Sequence, residues 1–212
     1  VFDTWFSNCH KWLTAPKHSA VLIVRPRLQQ FLHPVCISNF YINDTNKQDF
    51  PAAWLDELSP MAKKKLHTEF FWRGTRDLSN FLVLKDLIEF RAKLGEARIQ
   101  EYNRKTCLLG AMKAAEIWGT KLLIDDDDAR ASESAIICVE LPAACTSNEL
   151  AFKAVSRALA ERNTFVPTVA FRGKLYARFA CQMYNDVEDF AYTATAFAEL
   201  LAEVVLKETS AA

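Results

Sequence analysis

Glycine is scarce. The five glycines, Gly74, Gly95, Gly110, Gly119 and Gly173, never fall close enough together to form G-x-G-x-x-G or a Walker loop. Those cradles need paired glycines so that the backbone can approach a phosphate, and standard Rossmann and P-loop sites are therefore excluded within this chain. Long apolar runs are also missing: stretches such as residues 20–24 and 135–139 fall far below the roughly 18 residues of a membrane-spanning helix. No membrane is expected as a partner. There is no excess of either charge, with 26 Lys and Arg against 26 Asp and Glu scattered along the chain. The electrostatic footprint of phosphate-backbone binding is absent, so no nucleic acid is expected either. Six cysteines form no C-x-x-C pair and follow no leader segment, and they read as reduced thiols in a cytosol-like, cytoplasmic compartment. His33 and Cys36 have metal-like spacing, but no second pair completes four ligands. The four aspartates at 125–128 lack the glycine and spaced ligands of a calcium loop, and read as a solvated turn. No metal site is expected.

Half of the 212 residues are apolar, enough for a soluble globular chain of one or two domains with a real core. Residues 20–24, β-branched and bounded by Pro16 and Pro26, read as a buried strand. Residues 43–66 are polar and irregular, and the lysine triplet at 63–65 reads as a solvated helix face. Asp77 is placed to cap a helix running over 78–93, because Leu82, Leu87, Ile88 and Leu94 recur at helical spacing and Gly95 stops it. A second helix over 96–118 follows directly. Beyond 121 the period changes, with strands expected near 121–124, 135–141, 165–171 and 175–180 and helices near 148–162 and 187–207. That alternation describes a small α+β domain with helices over one face of a mainly antiparallel sheet. The domain boundary is placed near Gly95, giving regions 1–95 and 96–212. Val1 opens the chain inside an aromatic-rich segment, which is read as the edge of a fragment.

Chemistry is concentrated in a few places. Lys11 follows His10 and precedes Trp12, just before a proline-containing turn, a composition that hints at partial desolvation. An amine in an apolar pocket loses its charge more easily and becomes a nucleophile or base. Three patches in order sharpen the reading: N-C-H-K-W-L-T-A-P-K over 8–17, F-W-R-G-T-R-D over 71–77, and Y-A-R-F-A-C-Q-M-Y-N over 176–185. Together they resemble the class V aminotransferase-like enzymes, and in particular the isopenicillin N epimerase-like branch that includes cysteine desulfhydrases and sulfoxide lyases.

The resemblance implies an α/β fold of the pyridoxal 5′-phosphate (PLP) fold-type I class. The chain would be its second half, with the end of the large cofactor domain followed by the small C-terminal domain. Lys11 matches the lysine that carries PLP. Asn8 and His10 fall where related desulfurases contact the cofactor phosphate. Gly74 and Thr75 match a pair from which the threonine reaches the PLP phosphate of the other subunit, implying a homodimer with shared active sites. Arg178 matches the arginine that grips the α-carboxylate of an amino-acid substrate, a task for a planar fork. Three of these residues also have a plainer role open to them: a tautomer-locked packing residue at His10, a helix-entry cap at Thr75, and a strand arginine paired with a neighbouring carboxylate at Arg178.

Two departures stand out. The family continues Ala-Pro-Lys-Gly, whereas His18 takes the glycine's place, so the turn beyond the lysine is expected to differ. Cysteine desulfurases carry a nucleophilic loop cysteine before the arginine strand, and none lies between Glu161 and Arg178. Only ten residues precede Lys11, so the ring-stacking residue, the carboxylate to the pyridine nitrogen and the main phosphate loop are expected outside this sequence. The implied activity is a PLP-dependent reaction at the α-carbon, ranked carbon–sulfur lyase, then epimerase, then aminotransferase. A non-catalytic pseudoenzyme fragment is the alternative from another class.

Overall fold

The computed structural model describes residues 2–38, 41, 45, 69–70, 74–75, 77–123 and 133–211. The lysine triplet, residues 71–73 and 76 of the second patch, and the aspartate run lie outside the described residues. The chain divides into two compact units, Val1–Phe90 and Arg91–Ala212.

In the first unit, β1 (Thr4–Asn8) leads straight into α1 (Cys9–Trp12), and β2 (Ala20–Val24) returns antiparallel to β1 with Asn8 opposite Ala20 and Thr4 opposite Val24. Sequence patterning had not marked β1. A short α2 (Pro26–Gln29) begins on a proline, whose missing N–H costs nothing in a first turn. β2 forms where expected but is buried only in part: Val24 goes under while Leu22 and Ile23 stay about half exposed, because β1 is its only sheet partner among the described residues. The helix expected over 78–93 is split into α3 (Ser79–Leu82) and α4 (Leu84–Leu94) by a turn residue at Val83. Asp77 does open it: its carboxylate accepts the Ser79 backbone N–H at 2.8 Å and also the Ser79 hydroxyl, which holds the carboxyl below the usual carboxylate range.

The second unit carries the larger core. α5 (Glu96–Trp118) starts after Gly95 at φ +89° and ends at Gly119 in the left-handed region, with the Thr120 N–H reaching back to the Ala115 carbonyl. Buried Arg91 donates to both carboxylate oxygens of Glu96, at 2.9 and 2.7 Å, stapling the chain across Gly95. Then come β3 (Ile136–Glu140), α6 (Asn148–Arg162), β4 (Thr168–Phe171), β5 (Lys174–Ala180) and α7 (Val187–Ala211). The sheet is antiparallel in the order β3-β5-β4, and residue 122 adds an isolated bridge to β3 where a fourth strand was expected. β4 is shorter than expected because the chain reaches it only after Pro167, which has no N–H to give a ladder. Ser147 caps α6 by accepting the Leu150 N–H at 3.2 Å. Asp186 and Asp189 cap α7 reciprocally, each accepting the other's backbone N–H at 3.1 Å.

One face of this sheet (Ile137, Val139, Ala177, Phe179) packs with Cys107, Ala111, Ala114 and Trp118 of α5 and Phe190, Ala194 and Phe197 of α7 into one apolar core. Burial pushes the thiols inside it up, Cys107 to about 12 and Cys181 to about 11. They behave as small hydrophobic residues. No helix among the described residues is long and apolar enough to cross a membrane.

Gly110 is the tightest point of the core. A Cβ there would lie 2.4 Å from Cγ of Phe190, which is buried and stacked on Phe179 at 5.4 Å. Helix propensity alone favours alanine by about 1 kcal/mol. The forced overlap costs about 1–3 kcal/mol and outweighs it. Gly110→Ala is therefore expected to lower stability in urea unfolding, and a gain would show that the ring pair yields.

Candidate functional site

Lys11 lies in a single helical turn wedged between two strands. Residues 9 and 13 are four apart and share a face, so Cys9 and Leu13 go under together and pack, with Ala15, against Val21, Leu84 and Leu87. Lys11, two residues from Cys9, falls on the opposite side and is exposed. The expectation of a partly desolvated lysine is corrected on this point: the apolar groups around it serve the other face of the turn. Trp12 packs edge-on against Trp5 with ring centroids 6.1 Å apart.

The loop after the lysine folds back over α1. The buried Ser19 carbonyl accepts the Cys9 N–H at 3.0 Å and the His10 N–H at 3.4 Å, and His10 Nδ1 also lies 3.0 Å away. A carbonyl can only accept, so Nδ1 carries the hydrogen and Nε2 is the atom left to face a ligand. Asn8, exposed at the N-cap position, makes no side-chain capping bond. Asn80 of α3 donates to the Lys17 carbonyl at 2.8 Å, so the element that follows the second patch holds the lysine loop of the first.

His18 adopts φ +69° and Thr14 φ +59°. The turn thus keeps the conformation a glycine would take, against the expectation that a Cβ would change it, and His18 carries the strain. A left-handed non-glycine residue costs about 1–2 kcal/mol, partly offset by the extra unfolded-state freedom of glycine. His18→Gly is expected to raise unfolding stability by up to about 1 kcal/mol. A loss of stability in thermal or urea unfolding would mean that the imidazole makes compensating contacts. A β-branched threonine in the left-handed region is rarer still, and such strain concentrates at functional turns.

Gly74, at φ +86°, and Thr75 are both exposed. Helix entry is handled by Asp77, so Thr75 is not needed as a cap.

Arg178 sits in the second unit at the middle of β5, the central strand. Its neighbours Ala177 and Phe179 point into the core, so alternation puts Arg178 on the other face, exposed, beside its register partner Cys138. Burial pushes the Cys138 thiol up and the Arg178 guanidinium pulls it back. Among the described residues the guanidinium makes no hydrogen bond or ion pair, so the plainer role of a strand arginine neutralised by a carboxylate has no support here. A cleft of about 420 Å³ is bordered by Arg178, Phe165, Pro167, Asn185, Asp189 and Tyr192. Asn185 ties the turn after β5, accepting the Gln182 N–H at 3.1 Å, while its carbonyl accepts the Tyr102 hydroxyl at 2.7 Å.

Sequence reasoning missed two neighbours of Arg178. Cys138 comes opposite it only through the β3–β5 register, and Glu140 reaches Lys174 across 34 positions of sequence. The strand alternation of 136–140 was the available signal for which of these residues share a face.

No protein-family model matches the chain. An L-cysteine desulfhydrase-like protein of Epichloe uncinata is 28% identical across 97% of this chain and 51% of its own length. The hercynylcysteine sulfoxide lyase of Schizosaccharomyces pombe is 27% identical across 91% of this chain and 44% of its own. A cysteine desulfurase from Escherichia coli superposes with a TM-score of 0.61 at 14% identity, over 94% of this chain and 46% of that one. The chain has the fold-type I fold and is similar in sequence to the first two of these proteins. It spans about half the length of the relatives it matches. The mixed α/β architecture and that partial match agree with a second half of such a subunit.

The donor set suits the cofactor of that fold. An exposed amine can hold an aldehyde, and an imidazole with its Nδ1 hydrogen committed, a side-chain amide without a capping role and an exposed hydroxyl are groups a phosphate takes.

Proposed function

We propose that this chain is part of a PLP-dependent enzyme that cleaves a carbon–sulfur bond in an amino acid. The observation that carries the reading is the guanidinium of Arg178, unpaired among the described residues on the sheet face turned away from the core, in a chain whose relatives are named for carbon–sulfur chemistry. Lys11 would hold the cofactor through its amine, with His10 Nε2, Asn8 and Thr75 toward its phosphate. PLP, when bound, supplies an electron-accepting ring that stabilises negative charge at Cα. The Lys11 amine is the base that removes the Cα proton, and Arg178 grips the α-carboxylate through two parallel N–H bonds and so fixes which Cα bond is presented. The match of Gly74-Thr75 to the family's pair is what supports a homodimer in which Thr75 serves the other subunit's site, and both residues are exposed.

A desulfurase-type persulfide route is disfavoured. The loop before β5 holds no cysteine, and Cys138 sits on a strand, with burial raising its thiol. Given cysteine, the complete protein is expected to consume one water and release pyruvate, ammonia and hydrogen sulfide in equal amounts. Alanine with a persulfide left on the protein would overturn the proposal. Epimerisation or transamination without sulfur release would move the protein to another branch of the same chemistry.

A further inference from the structure

Glu140 stands directly opposite Tyr176 in the β3–β5 ladder. Its diagonal neighbours, two positions either way on β5, are therefore Lys174 and Arg178, both on the same face as Glu140. Diagonal partners lie roughly 7–8 Å apart at the backbone, within reach of long side chains. On the β5 side the carboxylate thus lies between two cations, and on the other side Lys121 stands opposite it across the Leu122–Val139 bridge. The structure pairs it with Lys174, whose Nζ is 2.8 Å from Oε1 and 2.9 Å from Oε2. Lys174 is fixed there by a two-residue hairpin in which Arg172 (φ +48°) and Gly173 (φ +76°) both take positive φ, the type I′ geometry that sets where β5 begins. Asp189, the carboxylate on the cleft that Arg178 borders, is also committed, accepting from Asn185 Nδ2 at 3.3 Å and from the Asp186 N–H at 3.1 Å.

We propose that Lys174 is a positioning residue for the anion site: by holding Glu140 it keeps the Arg178 guanidinium open for a substrate carboxylate. The inference rests on the reading of Arg178 given above. Without Lys174, Glu140 is left with two cations, Lys121 opposite it across the Leu122–Val139 bridge and Arg178 on the diagonal, and of the two the guanidinium fork matches a carboxylate better than the ammonium does. Glu140 would then occupy the site in place of substrate.

Phenylglyoxal, which modifies accessible guanidinium groups, reads this directly when the labelling rate of the Arg178 peptide is followed by mass spectrometry in the full-length protein. A partly exposed ion pair is worth about 0.2–1 kcal/mol, so Lys174→Met is expected to slow labelling of Arg178 by about 1.4- to fivefold while other arginines keep their rates. Adding Glu140→Gln to that variant should restore the parent rate, and Lys174→Arg should keep it. An unchanged rate in Lys174→Met, or no recovery in the double variant, overturns the proposal. Protection of Arg178 by added alanine in the parent protein tests the carboxylate role separately. If alanine gave no protection while Lys174→Met still slowed labelling, the reading of Arg178 would fall and the role of Lys174 in holding Glu140 would stand.

Discussion

Lys11→Ala is expected to abolish covalent attachment of the cofactor in the complete protein and to lower kcat by at least the 10²–10⁴-fold that a general base typically contributes. Its stability should barely change. The side chain is exposed on the side of α1 away from Cys9 and Leu13, and surface substitutions of that kind usually stay within about ±0.5 kcal/mol. The turn itself is held by backbone groups, the Cys9 and His10 N–H groups on the Ser19 carbonyl and the Leu13 and Ala15 N–H groups on the Cys9 carbonyl, none of which the substitution touches. Loss of function without loss of fold therefore separates a chemical role from a structural one. Borohydride reduction followed by peptide mapping supplies the positive evidence: the label is expected on Lys11, and a label on another lysine would remove it from the mechanism.

The sequence made the second unit far more legible than the first. α5 and α6 occur at the bounds expected, because each end is written locally: Gly95 and Gly119 take positive φ around α5, and Ser147 caps α6. Arg178 on a strand followed from the pattern at 175–180, while the place of that strand at the centre of the sheet shows only in the β3-β5-β4 order. In the first unit the local signals were thinner. The β-branched run at 20–24 correctly indicated a strand, but burial depends on what lies beside it, and β1 is its one sheet partner among the described residues. Desolvation of Lys11 was inferred from His10 and Trp12 beside it in sequence, whereas the buried groups of the turn are Cys9 and Leu13, on the side away from the exposed lysine. His18 shows the same limit in reverse: residue type argued against the glycine turn, and the hydrogen bonds around Ser19 hold the loop with a histidine in that conformation. Ion pairing on the sheet face was illegible for a further reason. It rests on a register linking residues 140 and 174, and no local rule says which of Lys121, Lys174 and Arg178 Glu140 will take.

Replacing Arg178 by lysine keeps the charge and removes the fork, which isolates geometry as the variable. In the proposed role the two parallel N–H bonds fix the substrate's rotation about its carboxylate as well as its position, and an ammonium offers only a point charge. Disrupting a buried, hydrogen-bonded charge pair costs about 2–5 kcal/mol, and the bound carboxylate would be such a pair even though Arg178 is exposed without substrate. Arg178→Lys is thus expected to lower kcat/KM for amino-acid substrates by about 30- to 4,000-fold, the same energy expressed as a ratio. The fold should tolerate it, since the ladder uses the backbone N–H of residue 178, 2.8 Å from the Pro167 carbonyl, and the guanidinium makes no bond within the described residues. The decisive comparison is between substrates in the same variant. An amino acid should lose most of its advantage over the corresponding amine lacking a carboxylate, because the amine never used the fork. If kcat/KM for the amino acid were unchanged, or if both compounds fell by the same factor, the carboxylate would be bound elsewhere and Arg178 would serve the sheet face alone.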